Sequence, residues 1–380
     1  MPPLTLMIKP VSSMCNMRCK YCFYADVSRH REVQSFGVMT TETLEKIVRR
    51  AFAYAEGSVG FAFQGGEPTL AGAEFFAKLL ELERKYNSRH IAVNNSIQTN
   101  AYALSDEMID VLARGKFLVG VSLDGPAEIH NRMRIDAHGN GTRETIVKNI
   151  ERLRRAGIEY NILCVVNHFI ACNPRAVWDA LSPHGYLQFI PCLDGFDGQH
   201  EEYSLTAEDY LSFLKTTFDL YYKAFMQRKY VSVRTFDNYV SILLGQIPEN
   251  CAMQGRCGTY YLIEGDGGVY PCDFYVLDKW RMGNINTASF HTLAKSEIAA
   301  DFRAQSHYVS PECRECKWFR MCRGGCKRER EPFLPVYDAS SGESILRPQL
   351  NRFCNTFKEF FEYSYDRMIE IANDIARQRQ

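Results

Sequence analysis

The sequence has no excess of either charge: 45 lysines and arginines stand against 45 aspartates and glutamates in 380 residues. Without a whole-chain basic field there is no reason to expect nucleic acid as the main partner. No apolar run approaches the roughly 18 residues that a membrane span needs, and mean hydropathy is −0.28, so no membrane is expected. The opening Met1-Pro-Pro-Leu-Thr-Leu-Met7 carries neither the basic n-region nor the apolar h-region of a secretory leader. The expected location is therefore cytoplasmic. Internal repeats and low-complexity tracts are missing too. So is any need for disulfide staples, because a chain of 43.7 kDa buries roughly three quarters of its unfolded surface. What the chain does have is 14 cysteines, and in a reducing compartment clustered thiols mean metal or catalysis.

At about 150 residues per domain the length suggests two or three domains. Up to about residue 230 short apolar runs alternate with amphipathic stretches of helical length. Strands are expected over 4–9, 59–64, 91–98, 116–123, 159–166 and 187–193, and helices over 41–55, 73–86, 106–113, 142–156, 174–181 and 206–226. Gly57, Gly115, Gly157 and Gly185 follow four of these helices where a left-handed C′ residue belongs. Thr206 and Asp209 have the spacing of a capping box. Six β-then-α units imply a parallel sheet with helical crossovers. Six rather than eight predicts an α/β fold with a partial (β/α)6 TIM-like barrel, whose reactive end is the C-terminal edge of its strands. After about residue 240 turns, aromatics and cysteines dominate, and Gly265-Asp-Gly-Gly268 between apolar runs predicts a hairpin. The expected organisation is the barrel over 1–235, a small cysteine-rich domain over 236–354 and a C-terminal helix over 355–380. Residues 340–347 read as a polar surface loop.

Directly after the first strand comes Cys15-Asn-Met-Arg-Cys19-Lys-Tyr-Cys22. Three thiolates on one short loop suit a 4Fe-4S cube, which can leave its fourth iron open for another ligand. Zinc would recruit a fourth protein ligand close by, and the nearest candidate is His30. Zinc and unmetallated thiols are the alternatives.

This CxxxCxxC spacing, with Phe23 and Tyr24 behind it at the top of a first barrel strand, resembles the radical S-adenosylmethionine superfamily. The resemblance implies that S-adenosylmethionine chelates the open iron and is cleaved, on electron injection, to a 5′-deoxyadenosyl radical. It implies further cofactor contacts at other strand ends. Gly65, Gly66 and Glu67 in Gly-Gly-Glu-Pro would hold the methionyl amino group, largely through backbone. Ser122 and Asp124 would face the ribose, Leu193 would lie along the adenine, and Tyr24 is a further candidate. Taken singly, these residues read as a tight turn, turn caps and core packing.

The later cysteines run Cys257-x9-Gly267-x4-Cys272, then Cys313-x2-Cys316-x5-Cys322-x3-Cys326, then Cys354. This resembles the SPASM extension of the same superfamily, and Cys251 supplies an eighth thiolate. Eight thiolates fully ligate two auxiliary 4Fe-4S clusters. By resemblance Cys251, Cys257, Cys272 and Cys326 hold the nearer and Cys313, Cys316, Cys322 and Cys354 the farther. Arg314, Lys317, Arg320, Arg323, Lys327, Arg328 and Arg330 would offset the negative charge of such clusters; a solvated basic face is the other reading. Of the remaining cysteines, Cys164 and Cys192 lie in strand runs and read as small buried apolar residues, which leaves Cys172.

The segments 61–71 and 270–284, with the opening residues, resemble anaerobic sulfatase-maturating enzymes over nearly the whole chain. That family oxidises a cysteine or serine in a sulfatase Cys/Ser-x-Pro-x-Arg motif to Cα-formylglycine. The resemblance implies a radical SAM oxidoreductase that takes a hydrogen from Cβ, with Asp273 as the base and Gln64 and Arg234 as peptide contacts. The implied partners are an unfolded or nascent sulfatase polypeptide and a reductant such as flavodoxin or ferredoxin. The competing readings are a maturase of another ribosomally made peptide and a non-catalytic zinc-binding interaction module.

Overall fold

The apolar runs and amphipathic stretches become strands and crossover helices in a computed structural model, which describes residues 3–258, 260–338 and 343–378. In chain order the strands are β1 (Leu4–Ile8), β2 (Ser58–Phe63), β3 (Ala92–Thr99), β4 (Leu118–Ser122), β5 (Tyr160–Val166), β6 (Tyr186–Pro191), β7 (Ser232–Val233), β8 (Tyr261–Ile263), β9 (Gly268–Tyr270), β10 (Gly283–Asn284), β11 (Leu334–Asp338) and β12 (Glu343–Arg347). The helices that matter below are α1 (Phe23–Arg29), α2 (Thr41–Tyr54), α3 (Ala73–Tyr86), α4 (Asp106–Arg114), α5 (Ala127–Met133), α6 (Arg143–Arg155), α7 (His168–Ala171), α8 (Pro174–Leu181), α9 (Ala207–Met226) and α10 (Arg234–Leu243). Two compact units result: Met1–Leu163 with Asp194–Gln199 and Thr259–Ala300, and Cys164–Leu193 with His200–Gly258 and Asp301–Gln380.

In the first unit β1 to β4 and residues 160–163 of β5 pair in parallel, each with the next. Their helices bury one stripe: on α2 the residues Leu44, Ile47, Val48 and Ala51, at i, i+3, i+4 and i+7, are all buried. Thr40 and Ser105 cap α2 and α4 by accepting from the backbone N–H groups of Thr43 and Met108. Phe63, Phe76 and Phe117 meet edge to face or tilted between sheet and helices. On its other edge β1 pairs in parallel with β8, and β8 returns antiparallel as β9. The hairpin expected at Gly265–Gly268 thus extends the sheet beside β1.

The second unit carries β6 and β7, also parallel, and the N–H of Cys192 donates to the carbonyl of Val166 at 2.8 Å. The long helix Cys354–Gln378 packs aromatically, Phe218 lying 5.3 Å from Phe236 and 5.8 Å from Phe360. The largely parallel, unclosed sheet is the partial barrel that six units predict. Among the described residues no helix is long and apolar enough to cross a membrane.

Two local expectations change. Gly115 has φ −83°, and the left-handed turn falls on Lys116, with φ 49°. Glycine at 115 answers to packing instead, since a Cβ there would sit 2.5 Å from the Phe117 ring. Residues 343–347, expected in a loop, form β12, paired antiparallel with β11 from Leu334↔Arg347 to Asp338↔Glu343; cross-strand pairing overrides their polar composition. Residues 340–342, from the same expected loop, and 379–380, at the end of the expected helix, lie outside the described residues.

Candidate active site

The cysteine loop leaves β1 and ends at Cys22, the N-cap of α1. Its course is fixed by neighbours: the N–H groups of Arg18 and Lys20 donate to Ile135 and Met133 carbonyls at 2.7 and 3.0 Å. The side-chain amide of Asn100 donates to Asn16 at 2.8 Å and lies 3.7 Å from Cys15 Sγ. Burial pushes the Cys15 thiol up to about 11, with Glu67 and Cys22 adding to it. Burial likewise pushes the Cys19 thiol up to about 12, against the opposing pull of Arg134. Burial and crowding favour the protonated thiols, and Arg134 opposes this only in part. Bonds to the irons of a cluster are what would make the thiolates favourable, and the donor set fits one.

Gly65, Gly66 and Glu67 follow β2. Gly65 has φ +129°, and a Cβ on Gly66 would stand 1.9 Å from the Met14 carbonyl oxygen. The N–H groups of Gly66 and Glu67 donate to the carbonyls of Ser12 and Met14 at 2.9 and 2.8 Å. The glycines therefore admit the chain's own cysteine loop. The buried Glu67 carboxylate accepts from Thr69 N–H and Oγ1, Thr99 Oγ1 and Asn100 N–H at 2.7–3.1 Å. It ties the turn to the end of β3, so what this motif offers a ligand is backbone.

At the end of β4, Ser122 Oγ accepts from Gln98 at 3.0 Å. Asp124, expected to face a ribose, is buried and engaged elsewhere. Arg134 Nε donates to it at 2.8 Å and Nη2 at 3.4 Å, and the Tyr21 hydroxyl donates to its Oδ2. Tyr21 lies inside the cysteine loop, and Arg134 Nη1 lies 3.9 Å from Cys19 Sγ. Asp124 thus anchors the loop. Tyr24, expected against the cofactor, is packed in a core of Val27, Leu262, Tyr270 and Val276. Its hydroxyl donates to Glu264, which Arg31 pairs at 2.9 Å.

Asp273 opens the turn after Cys272. Its Oδ1 is 2.6 Å from the fully buried Lys9 ammonium, and its Oδ2 accepts from the Gln64 amide. Lys9 also lies 3.4 Å from the centre of the Tyr24 ring. Spacing gave no hint of Lys9, Tyr21, Arg31, Arg134 or Glu264; a charged residue at the apolar end of β1 was the one available signal, for Lys9.

In the second unit Cys313, Cys316, Cys322 and Cys354 line one recess with Trp318, Phe319 and Phe361. Burial pushes the Cys322 thiol up to about 11, and the other three cysteines add to it. Cys326 is pushed up to about 12 by burial, then by Glu329, and Cys251 and Cys257 add further. The basic run divides by face: Lys327 and Arg330 are buried and pull the Cys257 thiol down against its burial, whereas Arg314, Lys317 and Arg320 are exposed. Arg234 Nη1 is 3.1 Å from Gln188 Oε1, its Nε is 3.6 Å from Glu249, and Leu193 is half-buried after β6. Cys164 and Cys192 are buried.

The Radical SAM superfamily matches residues 10–171, and an iron-sulfur cluster-binding domain, SPASM, matches residues 251–317. The cysteine-type anaerobic sulfatase-maturating enzyme of Clostridium perfringens is 45% identical over 380 residues, 99% of this chain and 100% of that one. The serine-type enzyme of Bacteroides thetaiotaomicron is 29% identical over 398 residues, covering 99% and 93%. A solved structure described as native anSMEcpe with bound AdoMet and Cp18Cys peptide superposes with a TM-score of 0.90 at 43% identity, covering 98% of this chain and 100% of that one. With both cysteine regions in place and likeness along its full length, the chain belongs to the anaerobic sulfatase-maturating enzymes of the radical S-adenosylmethionine superfamily.

Proposed function

We propose that this chain oxidises the cysteine of a Cys-x-Pro-x-Arg segment in an unfolded or nascent sulfatase to Cα-formylglycine. The observation that carries the cysteine preference is the identity of 45% with a cysteine-type enzyme against 29% with a serine-type one, each over 99% of this chain. Cys15, Cys19 and Cys22 would hold the cluster that binds S-adenosylmethionine, with the backbone at 65–67 and Ser122 toward the cofactor. Cys251, Cys257, Cys272 and Cys326 would hold one auxiliary cluster, and Cys313, Cys316, Cys322 and Cys354 the other. When bound, these groups supply a carbon radical that removes hydrogen from the substrate Cβ and a sink for the electron released next.

The protein's own part is positioning and proton transfer. As Cβ is oxidised the substrate thiol must lose its proton, and the Asp273 carboxylate is the acceptor. Lys9 stands against one carboxylate oxygen, Oδ1, while the Gln64 amide donates to the other, Oδ2, so the orientation of the group is set from both sides. A small one-electron carrier such as flavodoxin or ferredoxin is the proposed reductant, and a cytoplasmic location goes with the same reading.

The test incubates reconstituted protein, reductant and S-adenosylmethionine anaerobically with matched Cys-x-Pro-x-Arg and Ser-x-Pro-x-Arg peptides, and follows peptide mass. The cysteine peptide should exchange one sulfur and two hydrogens for one oxygen, and should do so faster than the serine peptide loses two hydrogens. Equal or faster turnover of serine overturns the preference. Deoxyadenosine formation with both masses unchanged overturns the substrate. Asp273→Asn should keep cofactor cleavage and lose product; undiminished product removes Asp273 as the base.

A further inference from the structure

Three side chains outside this machinery converge in the second unit: His168, Cys172 and Asp209, each offering one ligand atom within 4.8 Å of the others. His168 opens α7 and Cys172 caps its end, a four-residue spacing that puts both on one face of the turn. Asp209 lies in the first turn of α9. All three backbones are held independently of any ligand. The His168 N–H donates to the Tyr203 carbonyl at 3.0 Å, the Cys172 N–H to the His168 carbonyl at 2.9 Å, and the Asp209 N–H to Thr206 Oγ1 at 3.1 Å.

The side chains then meet at 2.8 Å from His168 Nδ1 to Asp209 Oδ2, and at 3.7 and 3.8 Å from Cys172 Sγ to the two imidazole nitrogens. A surface histidine–aspartate pair accounts for the first contact alone. It does not account for an exposed thiol set against the same imidazole. The cluster assignments above leave Cys172 without a part, and packing does not explain it as it does Cys164 and Cys192.

We propose that His168, Cys172 and Asp209 form a binding site for a zinc-type divalent transition-metal ion, with water as the fourth ligand. Nitrogen, sulfur and oxygen donors in this combination suit a borderline cation and disfavour magnesium or calcium, which take oxygen. Metal–sulfur bonds of about 2.3 Å and metal–nitrogen or metal–oxygen bonds of about 2.0–2.2 Å, at tetrahedral angles, give edges of roughly 3.6 Å for S···N and 3.4 Å for N···O. The sulfur contacts already have that length. The histidine–aspartate contact must open by roughly half an ångström, which a turn of the exposed side chains supplies. The metal takes the position between Nδ1 and the carboxylate, with the imidazole in its Nε2–H form, and replaces the proton on sulfur, which is released to solvent.

The experiment uses the full chain with its clusters reconstituted anaerobically and stripped of loose metal over a chelating resin, then dialysed against zinc. Zinc and iron are counted by mass spectrometry, and the zinc K-edge, which the iron clusters do not obscure, reports the ligands. The expected result is one zinc retained per chain with iron unchanged, and one sulfur neighbour at about 2.3 Å. Cys172→Ala should weaken zinc binding at least about tenfold and remove that sulfur signal, at unaltered iron content. Asp209→Asn, which leaves the Thr206 cap on the backbone intact, should also weaken binding, and it serves if the cysteine variant fails to fold. No retained zinc, a first shell without sulfur, zinc gained only as iron is lost, or equal retention in both variants would overturn the site.

Discussion

Asp124 and Arg134 are the pair on which the cysteine loop rests, and Arg134→Met tests that directly. The two side chains are 1% and 7% exposed and meet at 2.8 Å, so the substitution leaves a carboxylate in the interior without its cation. Removing one partner of a buried pair costs about 3–5 kcal/mol. The Tyr21 hydroxyl still donates to the carboxylate, which retains about 1 kcal/mol, so about 3 kcal/mol is expected, roughly a hundredfold in the folding equilibrium. If that loss is an unpaired charge, then Asp124→Asn with Arg134→Met must cost less than the sum of the two single changes, by about 2 kcal/mol or more. The assay is urea unfolding of the reduced, metal-free wild type, both single variants and the double variant, with iron counted after reconstitution. Iron should fall in Arg134→Met, because the guanidinium is the leading influence that opposes burial at the Cys19 thiol. Lys148→Met, at an exposed pair with Glu144, is the control and should change nothing measurable. Additive single costs, or an Arg134→Met loss no larger than the control, would refute the reasoning.

Beneath the same network, His130 is fully buried; its Nδ1 accepts from the Asp124 N–H at 3.1 Å and its Nε2 faces Thr142 Oγ1 at 3.1 Å. Burial pushes it down from 6.5 to about 3, so below pH 6.5 the unfolded chain takes up a proton that the folded chain refuses. Stability conferred by neutral His130 is complete above that pH and is lost as pH falls toward 3, by up to about 1.4 kcal/mol per pH unit; urea midpoints at pH 7, 6 and 5 should show this slope, flattened in His130→Gln. Glu67→Gln turns an amide NH2 toward either the Asn100 N–H or the two threonine hydroxyls, and should cost about 1–3 kcal/mol together with weaker S-adenosylmethionine binding, measured by equilibrium dialysis. Gly66→Ala forces the turn away from the Met14 carbonyl, so reconstituted iron should drop by the share of the first cluster while the auxiliary clusters stay.

What the sequence discloses here follows from the range of each interaction. Strand and helix placement rests on periodicity within a dozen residues, and the six barrel strands fall within two residues of their expected limits. The candidate cluster cysteines of the first loop stand out for the same reason, since CxxxCxxC packs three donors into one loop. Spacing leaves the partition of the eight later thiols open; in the fold Cys322 lies near enough to Cys313, Cys316 and Cys354, and Cys326 to Cys251 and Cys257, for each set to influence one another's charge. Hidden from any local pattern are the pairs that hold the site: Lys9 with Asp273, Arg31 with Glu264, and Arg134 with Asp124. Two of these join residues more than two hundred positions apart, and in each the cation is buried, the reverse of what lysine or arginine predicts by itself. Gly66 shows the complementary case. Its lack of a side chain was legible as room for a ligand, yet that room is filled by a carbonyl from the chain's own loop. Three of the chain's balanced charges of each sign are thus paired inside the barrel end. Such pairs add little to stability against apolar replacements of the same size, so what they supply is direction: Arg134 with Asp124 holds the cysteine loop, and Lys9 orients the carboxylate of Asp273, the proposed base.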